Sequence, residues 1–252
     1  MKILYAGNLA NVGYYHVREL RNLNIDIELL MEKNPLPTAD PLLRDPTLKN
    51  YPDWIKFYDR KKSSWKIDIL RIMRKYDLIH THAELPIFAY LSRKPFIAQI
   101  MGSDLTEMAF TNSLHGFLLR RAYKKAKVVI FSTPIDPCLL SKLKIKNTTF
   151  LPLITDWSFF KRNDVVNEKF KNKFVIFHPA NHIWKVKGND ILITGFASFV
   201  KSNPDSILLA VDWGEDSSKS KELVKTLGIE NNVIFLNQLI AKDLLYYYNI
   251  SD

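Results

Sequence analysis

Apolar and polar positions follow one another along this chain in two rhythms. Short β-branched runs recur, and between them apolar residues return every three or four positions; the first rhythm marks strands and the second amphipathic helices. In the first half the pattern predicts strands over residues 2–6, 25–30, 55–58, 77–80, 96–100, 127–131 and 148–151. It predicts helices over 12–22, 65–75, 85–92, 114–126 and 137–143. In the second half FVIFHPANHIWKVKGNDILITGFASFV, SILLAVDWG and NNVIFLNQ supply three further strands alternating with amphipathic segments, before a tyrosine-rich helix. Strands separated by helices assemble as βαβ units into parallel sheets, so the expected class is α/β and doubly wound.

Two stretches break the rhythm. Residues 34–53 carry five prolines and no clear period, which predicts a loop. Between Asp156 and Lys173 the apolar pattern lapses into KRNDVVNEKFKNK, a charged connector. The expected domains are therefore 1–160 and 173–252, with a linker over 161–172.

Composition narrows the class. At 252 residues with 47% hydrophobic content the chain can bury a substantial core and is not disordered. No apolar run reaches the ~20 residues needed to cross a bilayer, and Met1-Lys2 leads straight into a strand, without a signal-peptide pattern. These features predict a cytoplasmic protein. The single cysteine, Cys138, excludes an intramolecular disulfide and, between Pro137 and Leu139-Leu140, reads as a buried structural thiol.

Charge is shared unevenly, at net +9 over 1–160 against +1 over 161–252. Much of the excess lies in Arg71/Arg74/Lys75, Arg120/Arg121/Lys124/Lys125/Lys127 and Lys142/Lys144/Lys146. In the middle cluster Leu118, Leu119, Ala122 and Ala126 fall on one helical face and the cations on the other. Such a face is either solvated or drawn to anionic lipid, which would make the protein peripheral on the inner face of a membrane. No nucleic-acid motif accompanies these clusters, so nucleic acid is not an expected partner.

Candidate chemistry sits where strands hand over to helices, the ligand-binding edge of open α/β sheets. The first turn, from Gly7 to Tyr14, holds two glycines around a small polar loop. It lacks the G-x-G-x-x-G spacing of dinucleotide sites. Gly13 is its candidate for close approach to a ligand, and Asn11 a candidate polar contact. His80-Thr81-His82 ends the fourth predicted strand, and Met101-Gly102-Ser103-Asp104-Leu105 follows the fifth. Two histidines on a strand end with no Cys or Asp partner do not make a metal site. In the second half Lys187-Gly188 opens a helix, where backbone N–H groups and the dipole favour phosphate.

In order and spacing these motifs, from Gly7 to Asp252, resemble the retaining glycosyltransferases of family 4, whose GT-B fold has two Rossmann-like halves. Met101-Gly-Ser-Asp-Leu is similar to the family's His-Gly-Ser-Asp-Leu turn, with Met101 in place of the histidine. Lys187-Gly188 matches its donor lysine-glycine pair, whereas the preceding Gly-Arg positions read Ala180-Asn181, leaving His182 or Lys185 to stand in for the arginine. Val211-Asp212-Trp213-Gly214 resembles its glycine turn and Val233-Ile234-Phe235 its short third strand. The resemblance implies transfer of a sugar from a nucleotide-sugar donor to a hydroxyl acceptor, glycan or lipid-linked, with retention and with neither metal nor cofactor. It assigns Lys187, Gly188, Gly13 and Lys185 to the donor diphosphate, and Asn11, His82, Ser103 and Asp104 to the acceptor cleft.

The family's paired glutamates in E-x7-E spacing have no counterpart here. Glu222 and Glu230 share the spacing but fall on a helix and in a loop before a strand. The expectation is that the second domain is incomplete, that it is loose or reliant on a partner chain, and that the chain alone transfers nothing. A non-catalytic or split-subunit GT-B protein and a GT-B nucleotide-sugar epimerase stay open as alternatives.

Overall fold

A computed structural model describes all residues except 133–136, 155, 157, 158, 164 and 166. It divides into two compact units, Met1–Asp156 and Trp157–Asp252.

The first unit is laid down as β1 (Ile3–Ala6), α1 (Val12–Asn22), β2 (Ile27–Glu32), α2 (Pro41–Arg44), β3 (Ile55–Tyr58), α3 (Trp65–Met73), β4 (Leu78–His82) and α4 (Pro86–Ser92). It continues with β5 (Phe96–Ile100), α5 (Ser103–Thr106), α6 (Leu114–Lys125), β6 (Val128–Phe131), α7 (Pro137–Lys142) and β7 (Thr148–Phe150). The seven strands form one parallel sheet in the order β3-β2-β1-β4-β5-β6-β7. The order reverses between β1 and β4, so the connections leave in opposite directions there and open a crevice at the strands' carboxyl ends.

Period-2 alternation divides the core between two faces. Leu4, Ala6 and Leu30 point to one face with Ile69, Met73, Phe88, Leu119 and Tyr123. Tyr5, Leu29 and Met31 point to the other with Tyr14 and Val17 of α1. Every strand expected from the sequence is present to within two residues at each end. The proline-rich stretch is less irregular than expected, with a 3-10 turn at Pro37–Ala39 and the one-turn α2. The reason is local. Asp40 caps α2 through its side chain, which accepts from the Leu42 N–H at 3.0 Å, and Pro41 takes the first helical position.

The second unit runs β8 (Phe174–His178), α8 (Trp184–Lys187), α9 (Asn189–Ser202), β9 (Ser206–Val211), α10 (Ser217–Thr226), β10 (Val233–Leu236) and α11 (Ala241–Asn249). Its parallel sheet has the order β10-β9-β8. Both faces of this sheet are covered. Ile193, Phe196 and Val200 of α9 with Val224 of α10 cover one face. On the other, Val175, Ile207 and Leu209 pack with Tyr247 and Ile250, and the Tyr247 ring lies 5.5 Å from that of Phe177. The tyrosine-rich helix supplies the missing layer.

Two smaller expectations also change. Cys138 is exposed rather than buried, because α7 is a single turn and a half at the periphery. On α6 the buried residues are Gly116, Leu119, Ala122 and Tyr123, but Leu114 and Phe117 are exposed beside the cations. Arg120 is not a free surface charge, since its Nη1 donates to the carbonyls of Ala109 at 2.7 Å and Thr111 at 3.0 Å.

Candidate functional site

The first unit holds a cavity of about 410 Å³ beyond the carboxyl ends of β1, β2, β3 and β4, at the switch point of the sheet. Gly7 and His82 meet at its floor. Gly7 has φ +109°, and a Cβ there would lie 2.6 Å from the His82 ring, so only glycine lets the first turn pass over the imidazole. His82 Nε2 accepts from the Leu9 N–H at 3.0 Å, which puts the proton on Nδ1. Nδ1 lies 3.4 Å from the Tyr5 hydroxyl, Tyr5 donates to Gln99 Oε1 at 2.8 Å, and Gln99 Nε2 donates to Ser132 Oγ at 3.0 Å. This chain of donors runs one way, from the floor to the residue after β6. Burial first, and His16 second, push the His82 pKa down to about 3, so the floor of the cavity is neutral.

His80 lies behind it, its ring centroid 4.3 Å from that of Tyr5, and burial likewise brings its pKa to about 3. Among the described residues no group of three or more His, Cys, Asp or Glu side chains could hold a metal ion.

Asn11 and Gly13 serve the turn itself. Asn11 adopts φ 63° at the start of α1, a conformation asparagine tolerates, and is 1% exposed. Its Oδ1 accepts from Asn8 Nδ2 at 2.8 Å, while Asn8 Oδ1 accepts from the Tyr14 N–H at 2.7 Å. A Cβ on Gly13 would lie 2.1 Å from the Gly7 carbonyl oxygen. The close approach at Gly13 is therefore to the chain's own backbone, which corrects its reading as a ligand contact. Asn8 also donates to the Ala39 carbonyl at 2.7 Å, tying the proline-rich segment over the cavity through Pro35, Leu36 and Ala39.

Asp104 is likewise committed. Its carboxylate accepts from the Gly102 N–H at 2.7 Å, from the Met101 N–H at 3.1 Å and from the Tyr123 hydroxyl at 2.9 Å, and it is 3% exposed. Burial raises its pKa against the pull of these bonds. It shapes the turn after β5 rather than facing a ligand, while Ser103 is exposed on α5. Neither residue lines the cavity described above.

Three residues that sequence reading missed form the rim of the cavity. Arg60 Nε lies 3.1 Å from Glu32 Oε2, its Nη2 pairs with Glu84, and its guanidinium carbon stands 5.2 Å from the Trp65 ring centroid. They come from the ends of three strands, 28 and 24 residues apart, and no local motif joins them.

In the second unit Lys187 ends α8, Gly188 turns at φ +63°, and the fourteen-residue α9 begins at Asn189. Lys185 and Lys187 are exposed. The loop is held from behind. Its His182 N–H donates to the Trp213 carbonyl at 2.7 Å, and the Asp216 N–H donates back to the His182 carbonyl at 2.9 Å. Asp216 Oδ2 accepts from the Trp184 N–H at 2.9 Å. Gly214, at φ +119°, makes this contact sterically feasible, since a Cβ there would lie 2.4 Å from the His182 carbonyl oxygen.

Ser220 Oγ closes the clamp, 2.7 Å from His182 Nδ1 and 2.8 Å from Trp184 Nε1. His182 is thus turned inward, 1% exposed, and does not stand in for the arginine. Lys185 keeps an exposed side chain. Asn189 Nδ2 lies 2.9 Å from His178 Nε2, and burial, with the nearby His182 and Lys187, lowers the His178 pKa. Glu222 lies on α10 and Glu230 in a 3-10 turn before β10, so the pair spans two elements.

Comparisons with known proteins fit this division. Residues 2–133, just over half the chain, match the family model described as "Glycosyl transferase 4-like". The chain belongs to the glycosyl transferase 4-like family. Residues 159–252 match a second model, "Glycosyl transferases group 1". The chain is 27% identical over 146 residues to the mannosylfructose-phosphate synthase of Agrobacterium fabrum, covering 52% of this chain and 32% of that enzyme. It therefore spans about a third of the length of that curated relative.

Among solved structures, the sucrose-phosphate synthase of Thermosynechococcus elongatus aligns at TM-score 0.72 and 15% identity, over 100% of this chain and 74% of that one. Anabaena HepE, solved with UDP and glucose, aligns at TM-score 0.73 and 16% identity, over 99% and 72%. A UDP-N-acetylglucosamine 2-epimerase from Rickettsia bellii shares the fold at TM-score 0.60 and 10% identity, over 97% and 70%. The fold is GT-B, with the two parallel α/β sheets expected from the sequence.

Proposed function

We propose that this chain performs the recognition steps of a retaining glycosyl transfer of the family 4 type, from a nucleotide-sugar to a hydroxyl acceptor. The observation that carries the reading is the clamped turn before α9. It offers two exposed lysines beside the first N–H groups of a long helix, on a backbone fixed by Asp216, Ser220 and Gly214. A leaving diphosphate needs fixed cations and oriented N–H donors rather than a general acid. Lys187 is the principal cation of this reading, Gly188 frees the helix N-terminus, and Lys185 adds charge. The switch-point cavity of the first unit is the acceptor side, with His82 as its neutral floor. The UDP and glucose held by HepE support a nucleotide-sugar donor.

The acceptor surface extends to α6 in this reading. Leu114, Phe117, Arg121 and Lys124 follow one another at helical spacing, all exposed, with Arg121 5.2 Å from the Phe117 ring. An apolar edge followed by cations suits an anionic membrane surface, where a lipid-linked acceptor would be met. No described helix is long and apolar enough to cross a membrane.

Incubation with a panel of nucleotide-sugars and acceptors, with the anomeric configuration of the product read by NMR, tests the reaction. A product that keeps the donor's configuration supports the reading. An inverted product contradicts it, and conversion of a UDP-sugar to its 2-epimer without acceptor favours the epimerase reading that the shared fold also admits.

A further inference from the structure

The rim of the switch-point cavity has a charge arrangement that selects among ligands. Among the described residues that line it, Arg60 is the one cation, and Glu32 and Glu84 are the two carboxylates. The charge of Arg60 is already offset. Its guanidinium joins both carboxylates, at 3.1 Å to Glu32 and closer to Glu84, and stands over the rings of Trp65 and Tyr58 at 5.2 and 5.9 Å. The floor adds no charge, because His82 is neutral and its Nε2 is occupied by the Leu9 N–H. The rim therefore carries one net negative charge with no uncommitted donor cation. A phosphate ester entering here would meet two carboxylates around a guanidinium whose charge they already offset.

A polyhydroxylated neutral ring meets the opposite reception. Each hydroxyl can donate to a carboxylate oxygen and accept from a guanidinium N–H, and a carboxylate's two oxygens can take neighbouring hydroxyls together. Below the rim, Leu9, Met31, Leu85 and Met108 present apolar surface to the C–H face of a ring. At about 410 Å³ the cavity is within the size range of small-molecule sites.

We propose that this cavity is a subsite for an uncharged pyranoside, held by Glu32, Arg60 and Glu84, and that it discriminates against sugar phosphates. Its role as the acceptor subsite rests on the proposed transfer reaction, whereas ligand binding to the cavity can be measured without donor or turnover.

The test uses the 252-residue chain with methionine methyls labelled with carbon-13, titrated separately with methyl hexopyranosides of the gluco, galacto and manno series and with hexose 6-phosphates. Met31 and Met108 line the cavity and report on it, and Met1 serves as a remote control. The expected result is saturable shifts at Met31 and Met108 with at least one methyl hexopyranoside and none with hexose 6-phosphates at the same concentrations. Replacing Glu32→Gln together with Glu84→Gln removes both carboxylates and releases Arg60. Glycoside affinity should fall about tenfold or more, and hexose 6-phosphate should now bind. If the double variant does not fold by circular dichroism, Glu84→Gln alone carries the same expectation at a partly exposed side chain.

Hexose 6-phosphate binding to the unmodified cavity as tightly as any glycoside would overturn the proposal, as would silence of Met31 and Met108 toward every glycoside. Glycoside binding without transfer from any nucleotide-sugar would leave the subsite standing and remove the transfer reading. Efficient transfer to a hexose 6-phosphate would do the reverse.

Discussion

In the first unit the floor of the candidate site rests on side chains buried to within a few per cent, whereas in the second the site consists of exposed lysines on a backbone clamped from behind. His82, Asn8, Asn11 and Gln99 are all below 8% exposed, and each is hydrogen-bonded to another part of the protein. Lys185 and Lys187 reach solvent, and the residues that fix their turn, Asp216, Ser220 and Gly214, touch backbone, neighbouring rings and, at Asp216, the Lys219 ammonium. The difference separates two ways of making a site. A cavity needs floor and walls that are also core, so its chemistry and its stability are coupled. A phosphate site on a helix N-terminus borrows its rigidity from backbone, so its cations can change without disturbing the fold.

Substitutions should separate the two regimes, beginning where backbone meets backbone. Gly13→Ala should destabilise the first unit by about 4 kcal/mol, because the added Cβ would meet the Gly7 carbonyl 2.1 Å away and neither turn can shift alone. Urea unfolding measures it, and a loss below about 1 kcal/mol would show that the first turn is softer than the contacts imply.

Lys187→Ala should do the opposite. Unfolding should change by no more than about 0.5 kcal/mol, as for other exposed positions, while transfer by any active full-length version falls about a hundredfold, near 3 kcal/mol of barrier. Equal turnover by variant and parent would remove Lys187 from the site.

Acid should also distinguish the units. His80 and His82 have pKa values near 3 in the folded chain against about 6.5 when unfolded. Between those values the unfolded chain binds more protons, so stability is complete above pH 6.5 and is lost as pH falls toward 3. From pH 7 to pH 5 the first unit should lose about 2 kcal/mol for each such histidine, less where the two couple. His178 and His182 are shifted the same way, but at His182 the nearby Asp212 and Asp216 oppose the effect of burial, so the second unit should show a shallower slope. Calorimetric melts at the two pH values compare them, and His80→Phe should flatten the steeper slope.

The smallest effect is expected at Ser220→Ala. Loss of its bonds to His182 and Trp184 should cost about 1 kcal/mol and weaken donor binding only a few-fold, which hydrogen exchange at residues 182–188 would reveal as faster opening.

The same contrast explains what could be read in advance. Strands and helices were legible because period-2 and period-3.6 patterns directly encode which face is buried, as at Leu4, Tyr5 and Ala6. Lys187-Gly188 was legible because a helix-terminal phosphate site is contiguous in sequence. Glu32, Arg60 and Glu84 were not, since three strand ends meet only after the sheet has formed. Gly13 and Asp104 look alike as ligand contacts or as turn supports until their nearest atoms are known, and those atoms belong to the protein. The cover that α11 gives the second sheet was missed because its apolar face is built from tyrosines, whose rings bury while their hydroxyls stay polar.

The central claim is that the clamped turn before α9, and not the switch-point cavity, receives the nucleoside diphosphate. Titration of the nitrogen-15-labelled chain with UDP, followed by amide shifts, tests it most directly. The account predicts saturable shifts confined to residues 185–192 and lost on Lys187→Ala, with Gly7, Leu9 and Ala83–Leu85 unmoved. Shifts at the cavity residues in place of 185–192, or the same shifts in the Lys187→Ala variant, would contradict it.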